Sequence, residues 1–175
     1  IKNEDLEFGL NGQQYVSESF LSKLDSKYLV QNGDILISLT GSHLSQPNSV
    51  VGRVAYNRHS CVSLLNQRAG KFILTNKKII DNDFLYYYLS SSSIRREIAL
   101  KAKGAANQAN ISPGDVESVS LMLPSLHVQQ KIASILSAYD DLIENNKQRI
   151  KLLEEMAEEI YKEWFVRFRF PGYES

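Results

Sequence analysis

The sequence predicts an α+β chain: a mixed α/β globular domain over residues 1–124, then a long C-terminal α-helix that forms an antiparallel coiled coil. Three observations predict this. Between Pro124 and Pro171 there is neither Gly nor Pro, the two strongest helix breakers. In that window Ile132, Leu136, Tyr139, Ile143, Asn146, Ile150, Leu153, Ala157, Ile160 and Trp164 follow at alternating steps of four and three, and only Asn146 among them is polar. A heptad seam of that length with Lys/Glu-rich flanks is the pattern of a coiled coil. Upstream of Pro124, by contrast, short apolar runs alternate with Gly- and Asn-containing turns, the pattern of strands and short helices.

The N-terminal stretch is mixed, with a turn expected at Asn11-Gly12 and a segment over 15–24 whose type the pattern leaves open. Asn32-Gly33-Asp34 is a strong turn signal that feeds a buried strand at 35–39. A ten-residue polar loop follows at 40–49. Val50, Val51, Val54, Ala55 and Tyr56 read as the next strand, interrupted by a bulge at Gly52-Arg53. Further strands are expected at 61–65 and 72–75, bracketing the polar turn 66–70. Residues 81–91 and 92–103 read as helices, the first capped by Asp81 or Asn82. Tyr86, Tyr87 and Tyr88 are read as packing residues, with base stacking as the competing reading. A second amide-rich loop spans 104–110, a turn spans 111–115, and 116–123 alternates as a last strand. Ser125 caps the long helix, read as residues 126–168; over the predicted 43 residues it would extend about 65 Å, so it should project and seek another helix. The expected division is therefore 1–124, a spacer helix at 125–170, and a tail at 171–175.

Formal net charge is zero, but its distribution is uneven: −3 over 1–50, +7 over 51–103, −2 over 104–124 and −2 from 125 onward. A basic block is the footprint expected of phosphate contacts even in a neutral protein. No apolar run approaches the ~20 residues of a membrane span, no signal segment opens the chain, and the single cysteine, Cys61, fits a cytoplasmic protein. A start at Ile1 without Met suggests that something upstream is missing.

Catalytic and metal signatures fail. His43, His59 and His127 are scattered, and no phosphate-cradling glycine loop or Cys/His ligand spacing occurs. Asp81 and Asp83 are better explained by the dipole of a helix start than as a metal pair. The chain therefore reads as non-catalytic. Asn and Gln pair bidentately with adenine, and Arg with guanine, in the major groove. Three loops offer such groups, together with hydroxyls and cations. They give a candidate DNA-binding set: Thr40, Ser42, His43, Ser45 and Gln46; Arg53, Asn66, Gln67 and Arg68; then Lys101, Lys103, Asn107, Gln108 and Asn110. Each loop alone is weak, because the same side chains commonly bond their own backbone.

Several motifs together carry a resemblance. Gly33-Asp34-Ile35-Leu36-Ile37-Ser38, Phe84-Leu85-Tyr86-Tyr87-Tyr88-Leu89 and Gly104…Asn107-Gln108…Asn110-Ile111-Ser112 come first. Leu121-Met122-Leu123-Pro124…Gln129-Gln130-Lys131-Ile132-Ala133 follows, then the tail Lys162-Glu163-Trp164-Phe165-Val166-Arg167-Phe168…Phe170-Pro171-Gly172. In order and spacing these resemble the specificity (S) subunit of type I restriction–modification systems, of which this chain resembles one half without the family's usual opening strand. The resemblance implies that 1–124 is a target recognition domain reading half of a bipartite site on double-stranded DNA. It implies that the helix docks methyltransferase (M) subunits, with a restriction (R) subunit in the larger complex. It implies no cofactor on this chain; S-adenosylmethionine, ATP and Mg would belong to the partners.

Two other readings compete. A coiled-coil scaffold or regulator without DNA affinity fits the seam equally well, but gives no reason for the Lys and Arg of 51–103 to share a face with the three loops. A nuclease using Asp81 and Asp83 predicts divalent-dependent cleavage. The helix partner would be a second S half or a second copy. Antiparallel pairing sets large Tyr139 against small Ala157, whereas parallel pairing sets Asn146 against its copy.

Overall fold

In the computed structural model, the residues described are 15–17, 19, 21, 24–43, 45–46, 49–76, 78–105 and 108–172. The expected turn at Asn11-Gly12 and the candidate Asn107 lie outside them. The chain divides into two compact units, Ile1–Lys131 and Ile132–Ser175.

The turn at Asn32-Gly33 forms because Gly33 adopts φ +89° while its N–H donates to Asn57 O at 2.8 Å. It delivers β2 (Ile35–Ser38), whose four residues are all buried, as expected of a strand covered on both faces. β2 is the centre of an antiparallel sheet, flanked by β4 (Val54–Tyr56) and β6 (Ala69–Lys71). β1 (Leu29–Val30) pairs with β5 (Ser63–Leu64). A third antiparallel sheet has the order β3 (Thr40–Gly41), β8 (Gln108–Asn110), β7 (Lys103–Ala105). Helices α1 (Asn82–Ser90) and α2 (Ser92–Leu100) complete the core, in which Ile35, Ile37, Val51, Leu85, Leu89, Ile98 and Ala109 cluster. Asp81 caps α1 by accepting from Phe84 N at 2.9 Å. Tyr86 packs edge-on against Tyr56, and Tyr88 lies tilted on Phe84 while its hydroxyl accepts from Met122 N, so these rings are packing residues.

Several expected boundaries change. The bulged strand over 50–56 is a turn followed by a short strand: Gly52 takes φ +72°, and Arg53 N–H donates back to Val50 O. The strand expected at 72–75 sits earlier, over 69–71, because Gly70 lets the chain pass close to Ile37; a Cβ there would lie 3.0 Å from Ile37 Cγ2. The strand expected at 116–123 is absent. Ser112-Pro113-Gly114-Asp115 instead starts α3 (Pro113–Glu117) with a complete capping box and Pro in the first turn, and local capping overrides the apolar alternation downstream. The loop expected at 104–110 is the β7–β8 hairpin, and the loop expected at 40–49 begins as β3.

The long helix α4 spans Leu126–Tyr161, shorter than the expected 126–168. It passes into a π-helical turn at Lys162–Val166, in which Arg167 N–H donates to Lys162 O at 2.8 Å, and Phe168 then takes φ +54°. The wider turn breaks the 3.6-residue phase, so Trp164 no longer continues the seam at α-helical spacing. The seam residues within α4 are open to solvent; Tyr139 is 62% and Leu153 61% exposed.

Candidate nucleic-acid interface

Residue Leu39 joins the two larger sheets. Its N–H donates to Arg68 O at 2.9 Å, and its carbonyl accepts from Ile111 N at 2.8 Å. The first bond brings the 66–68 turn to the end of β2; the second brings in the chain leaving β8. The segments beginning at Thr40, Asn66 and Lys103 therefore meet around one residue, although up to 63 positions separate them in sequence.

The third sheet has two unlike faces. Thr40 pairs with Asn110 and Asn110 with Lys103, and antiparallel partners project to the same side, as does Gln108 two residues before Asn110. Lys103, Gln108 and Asn110 are exposed, while Ala109, one step out of phase, is fully buried. Thr40 Oγ1 donates to Asn110 Oδ1 at 2.9 Å, which orients that amide. Gly41 and Gly104 allow the close approach on the other side. A Cβ on Gly41 would lie 2.8 Å from Val50 Cγ2, and one on Gly104, which has φ +133°, would lie 2.2 Å from Gln108 O. Lys103 Nζ sits 3.7 Å from Asp115 and keeps its side chain 83% exposed, so that ion pair holds it only weakly. Asp115 accepts from both the hydroxyl and the N–H of Ser112, and the hydroxyl bond is the main reason its pKa is lowered; Lys103 and Lys101 add a smaller Coulombic pull in the same direction.

The remaining candidates divide. Arg68 and Gln67 are exposed on the turn beside Leu39, but Asn66 Oδ1 accepts from Arg68 N at 2.9 Å and so builds the turn itself. His43 Nδ1 accepts from Ser45 N at 3.3 Å, a local loop contact; Ser45 and Gln46 are exposed. Ser42 O accepts from Ser49 Oγ at 2.6 Å, which pins the base of this loop. Arg53 is half-buried on the turn next to β4. Lys101 follows α2 and is half-buried. The basic block does not form one face. Lys71 turns inward to Leu29 O and Asp34, and Arg58 stacks over Tyr56 at 5.9 Å; both lie toward the Ile35 end of β2, away from Leu39. Arg95, absent from the sequence-derived set, donates to Ser49 O at 2.7 Å and so borders the 42–49 loop. A lone arginine inside an amphipathic helical run carries no local signal of that.

Asp81, the helix cap, and Asp83, which interacts with the Tyr56 hydroxyl, are engaged in the fold. Among the described residues, no group of three or more His, Cys, Asp or Glu is arranged to hold a metal, and no helix is long and apolar enough to cross a membrane.

The chain is thus a mixed α/β unit with a polar sheet face, followed by a long helix with an exposed heptad stripe. Residues 7–155 match the family profile of the type I restriction modification DNA specificity domain, and the chain belongs to that family. It is 28% identical over 148 residues to the HindI specificity subunit of Haemophilus influenzae, covering 82% of this chain and 30% of that protein. It is 37% identical over 82 residues to the MjaIX specificity subunit of Methanocaldococcus jannaschii, covering 47% of this chain and 19% of the relative. The crystal structure of a type I restriction–modification S subunit from M. genitalium superposes with a TM-score of 0.65 at 22% identity, over 81% of this chain and 34% of that one, and so shares the fold. The chain thus spans about a third or less of the length of these proteins.

Proposed function

We propose that this chain reads one half of a bipartite DNA site and joins that half to a methyltransferase through its long helix. The observation that carries the reading is the convergence at Leu39, where Arg68, Thr40 and the β7–β8 hairpin come together. A two-stranded ribbon fits the major groove, and Gln108, Asn110 and Arg68 are the side-chain types that discriminate bases there. Lys101, Lys103 and the hydroxyls of Ser42 and Ser45 suit phosphate and sugar contacts that set register, while the Thr40 hydroxyl, whose hydrogen goes to Asn110, orients that amide. The pinned 42–49 loop, with His43 and Gln46, borders the same edge.

The helix contributes a surface wider than one seam. Besides the column Leu136, Ile143, Ile150 and the column Ile132, Tyr139, Leu153, Ile160, a third column of Ile135, Leu142 and Met156 is 55–60% exposed. A two-stranded coiled coil uses two columns; a face of three suits contact with more than one neighbouring helix. One flank would pair, antiparallel, with a second S half or a second copy. The other would dock helices of M subunits, with R joining outside. S-adenosylmethionine, ATP and Mg would then be bound by those partners, and this chain would supply specificity without catalysis. The scattered Lys and Arg of 51–103 count for the scaffold reading, which also explains the stripe, but it gives no reason for the polar sheet face.

The test is footprinting of the complex reconstituted with its M subunit. Two protected segments separated by an unprotected spacer are expected, and uniform binding to all duplexes would overturn the reading. Ile143→Glu, which places a charge in the stripe, should abolish co-purification with M or with the second half while leaving the fold of residues 24–124 intact by circular dichroism. Nitroxides at Ser134 far apart in a homodimer are expected from antiparallel pairing; close approach would refute it.

A further inference from the structure

Two arginines beside the 42–49 loop lack the acceptors that half-buried guanidinium groups need. Arg95, on α2, spends one Nη2 hydrogen on Ser49 O. Its Nε, and the Nε of Arg53, are buried with no hydrogen-bond partner. Neither residue joins any of the ion pairs found among the described residues. The two charges also act on each other: the pKa of Arg95 is lowered first by burial and then by repulsion from Arg53, with no carboxylate among the causes. Gly52 sets the backbone beside Arg53 against α2. Its φ of +72° turns the chain against α2 so closely that a Cβ would lie 3.3 Å from Ile98 Cγ2 and 3.4 Å from Arg95 O. Two like charges held half out of water with unsatisfied donors cost stability. A single oxyanion against the outer nitrogens of both groups would offset the repulsion, and guanidinium forks match phosphate geometry.

We propose that Arg53 and Arg95 form a clamp for one backbone phosphodiester of the DNA, acting independently of base sequence. The location supports this. Arg95 bonds Ser49, Ser49 bonds Ser42, and Ser42 directly follows β3, so the clamp lies just beyond the end of the strand that carries Thr40, on the side where Val50 packs against Gly41. The inference rests on the DNA-reading role above and adds a division of labour: base edges to the hairpin, one phosphate to the arginine pair.

The experiment measures binding of the assembled methyltransferase to cognate and unrelated duplexes across a salt series, comparing wild type with Arg53→Gln and Arg95→Lys. For Arg53→Gln, affinity for both duplexes should fall by a similar factor, roughly tenfold. The slope of log K against log salt should shrink by about 0.9, the value for one phosphate contact. Arg95→Lys keeps the charge but not the planar fork; it should weaken both duplexes alike while retaining the slope. Thermal melting separates this from a folding defect, since Arg53→Gln relieves repulsion and should melt no lower than wild type. An unchanged slope in Arg53→Gln, or a loss confined to the cognate duplex, would overturn the clamp while the DNA-reading role stands. Wild-type binding without preference for any duplex would overturn the role and the clamp with it. Protection of wild type by inorganic phosphate with no change in the DNA slope would assign the pair to a free anion and also overturn the proposal.

Discussion

Replacing Gln129 by Ala tests the anchorage of α4 most directly. Gln129 is fully buried, and its amide makes three hydrogen bonds. Oε1 accepts from Asp81 N at 2.9 Å, while Nε2 donates to Ile79 O at 3.0 Å and to Pro124 O at 2.9 Å. One side chain therefore ties the first turns of α4 to the segment that caps α1 and to the chain just before α4. Truncation leaves a buried N–H and two carbonyls without their partner. A stranded donor costs about 1–3 kcal/mol, and carbonyls and lost packing add to it, so the total should be roughly 3 kcal/mol. For a chain of this size that corresponds to a fall in melting temperature of about 6–12 °C. Urea denaturation should show the midpoint shift at unchanged slope, since the surface exposed on unfolding is the same. Gln130, the exposed neighbour with the same chemistry, is the control, and its replacement by Ala should stay within about 0.5 kcal/mol. Gln129→Glu can still accept from Asp81 but, ionised, cannot donate to either carbonyl, so it should destabilise at neutral pH as well. A loss below about 1 kcal/mol for Gln129→Ala would show that water replaces the amide and that it is not the anchor.

Three further perturbations address the interface. Gln108→Ala should lower affinity by about 1–3 kcal/mol at one base-pair position and relax preference there; binding reduced equally on all duplexes, read by competition with substituted sites, would place Gln108 on phosphate instead. Gly104→Ala drives a Cβ into Gln108 O and forbids the observed φ, so it should disrupt the β7–β8 hairpin, cost upwards of about 2 kcal/mol and weaken DNA binding with it; wild-type stability in denaturation would show that the hairpin is dispensable. Ser112→Ala removes the cap of α3 and should cost about 0.5–2 kcal/mol near neutral pH. Because the folded Asp115 pKa lies below its ordinary value, chiefly through the Ser112 hydroxyl, the stabilisation is complete above about pH 4 and is lost as pH falls through the folded value. The difference between wild type and Ser112→Ala should therefore narrow in acid, and a gap independent of pH down to the acid limit would refute the Asp115 contribution.

What could be read from the chain alone follows the range of the forces involved. The Asn32-Gly33 turn, the Asp81 cap and the heptad stripe are set by residues within one or two turns of each other, and they stand in the sequence. Other elements depend on a distant partner. Residues 116–123 alternate as a strand should, yet they pair with no strand, and the capping box at Ser112 takes the preceding chain into a helix. Residues 104–110 carry Gly and Asn as a loop would, yet Ala109 finds a buried slot and Asn110 finds Thr40 across 70 positions, so the segment folds as a hairpin. The π turn after Tyr161 gives no warning in the heptad count.

The candidate site shows the same divide. Residue type nominated Thr40, Arg68, Gln108 and Asn110 as groups able to reach DNA, but it could not separate Asn66, whose amide is spent on its own turn, from Gln67 beside it. Nor could net charge show that Lys71 and Arg58 lie toward the wrong end of β2, or that Arg53 and Arg95 share one unsatisfied pocket of charge. Pairing through Leu39 supplies what was missing: because its N–H and its carbonyl serve different segments, one residue decides which of the polar loops face the same way. Leu39→Pro, which removes the N–H that Arg68 O accepts while keeping the carbonyl that Ile111 N–H reaches, should therefore free the 66–68 turn from the hairpin without touching any side chain proposed to contact a base.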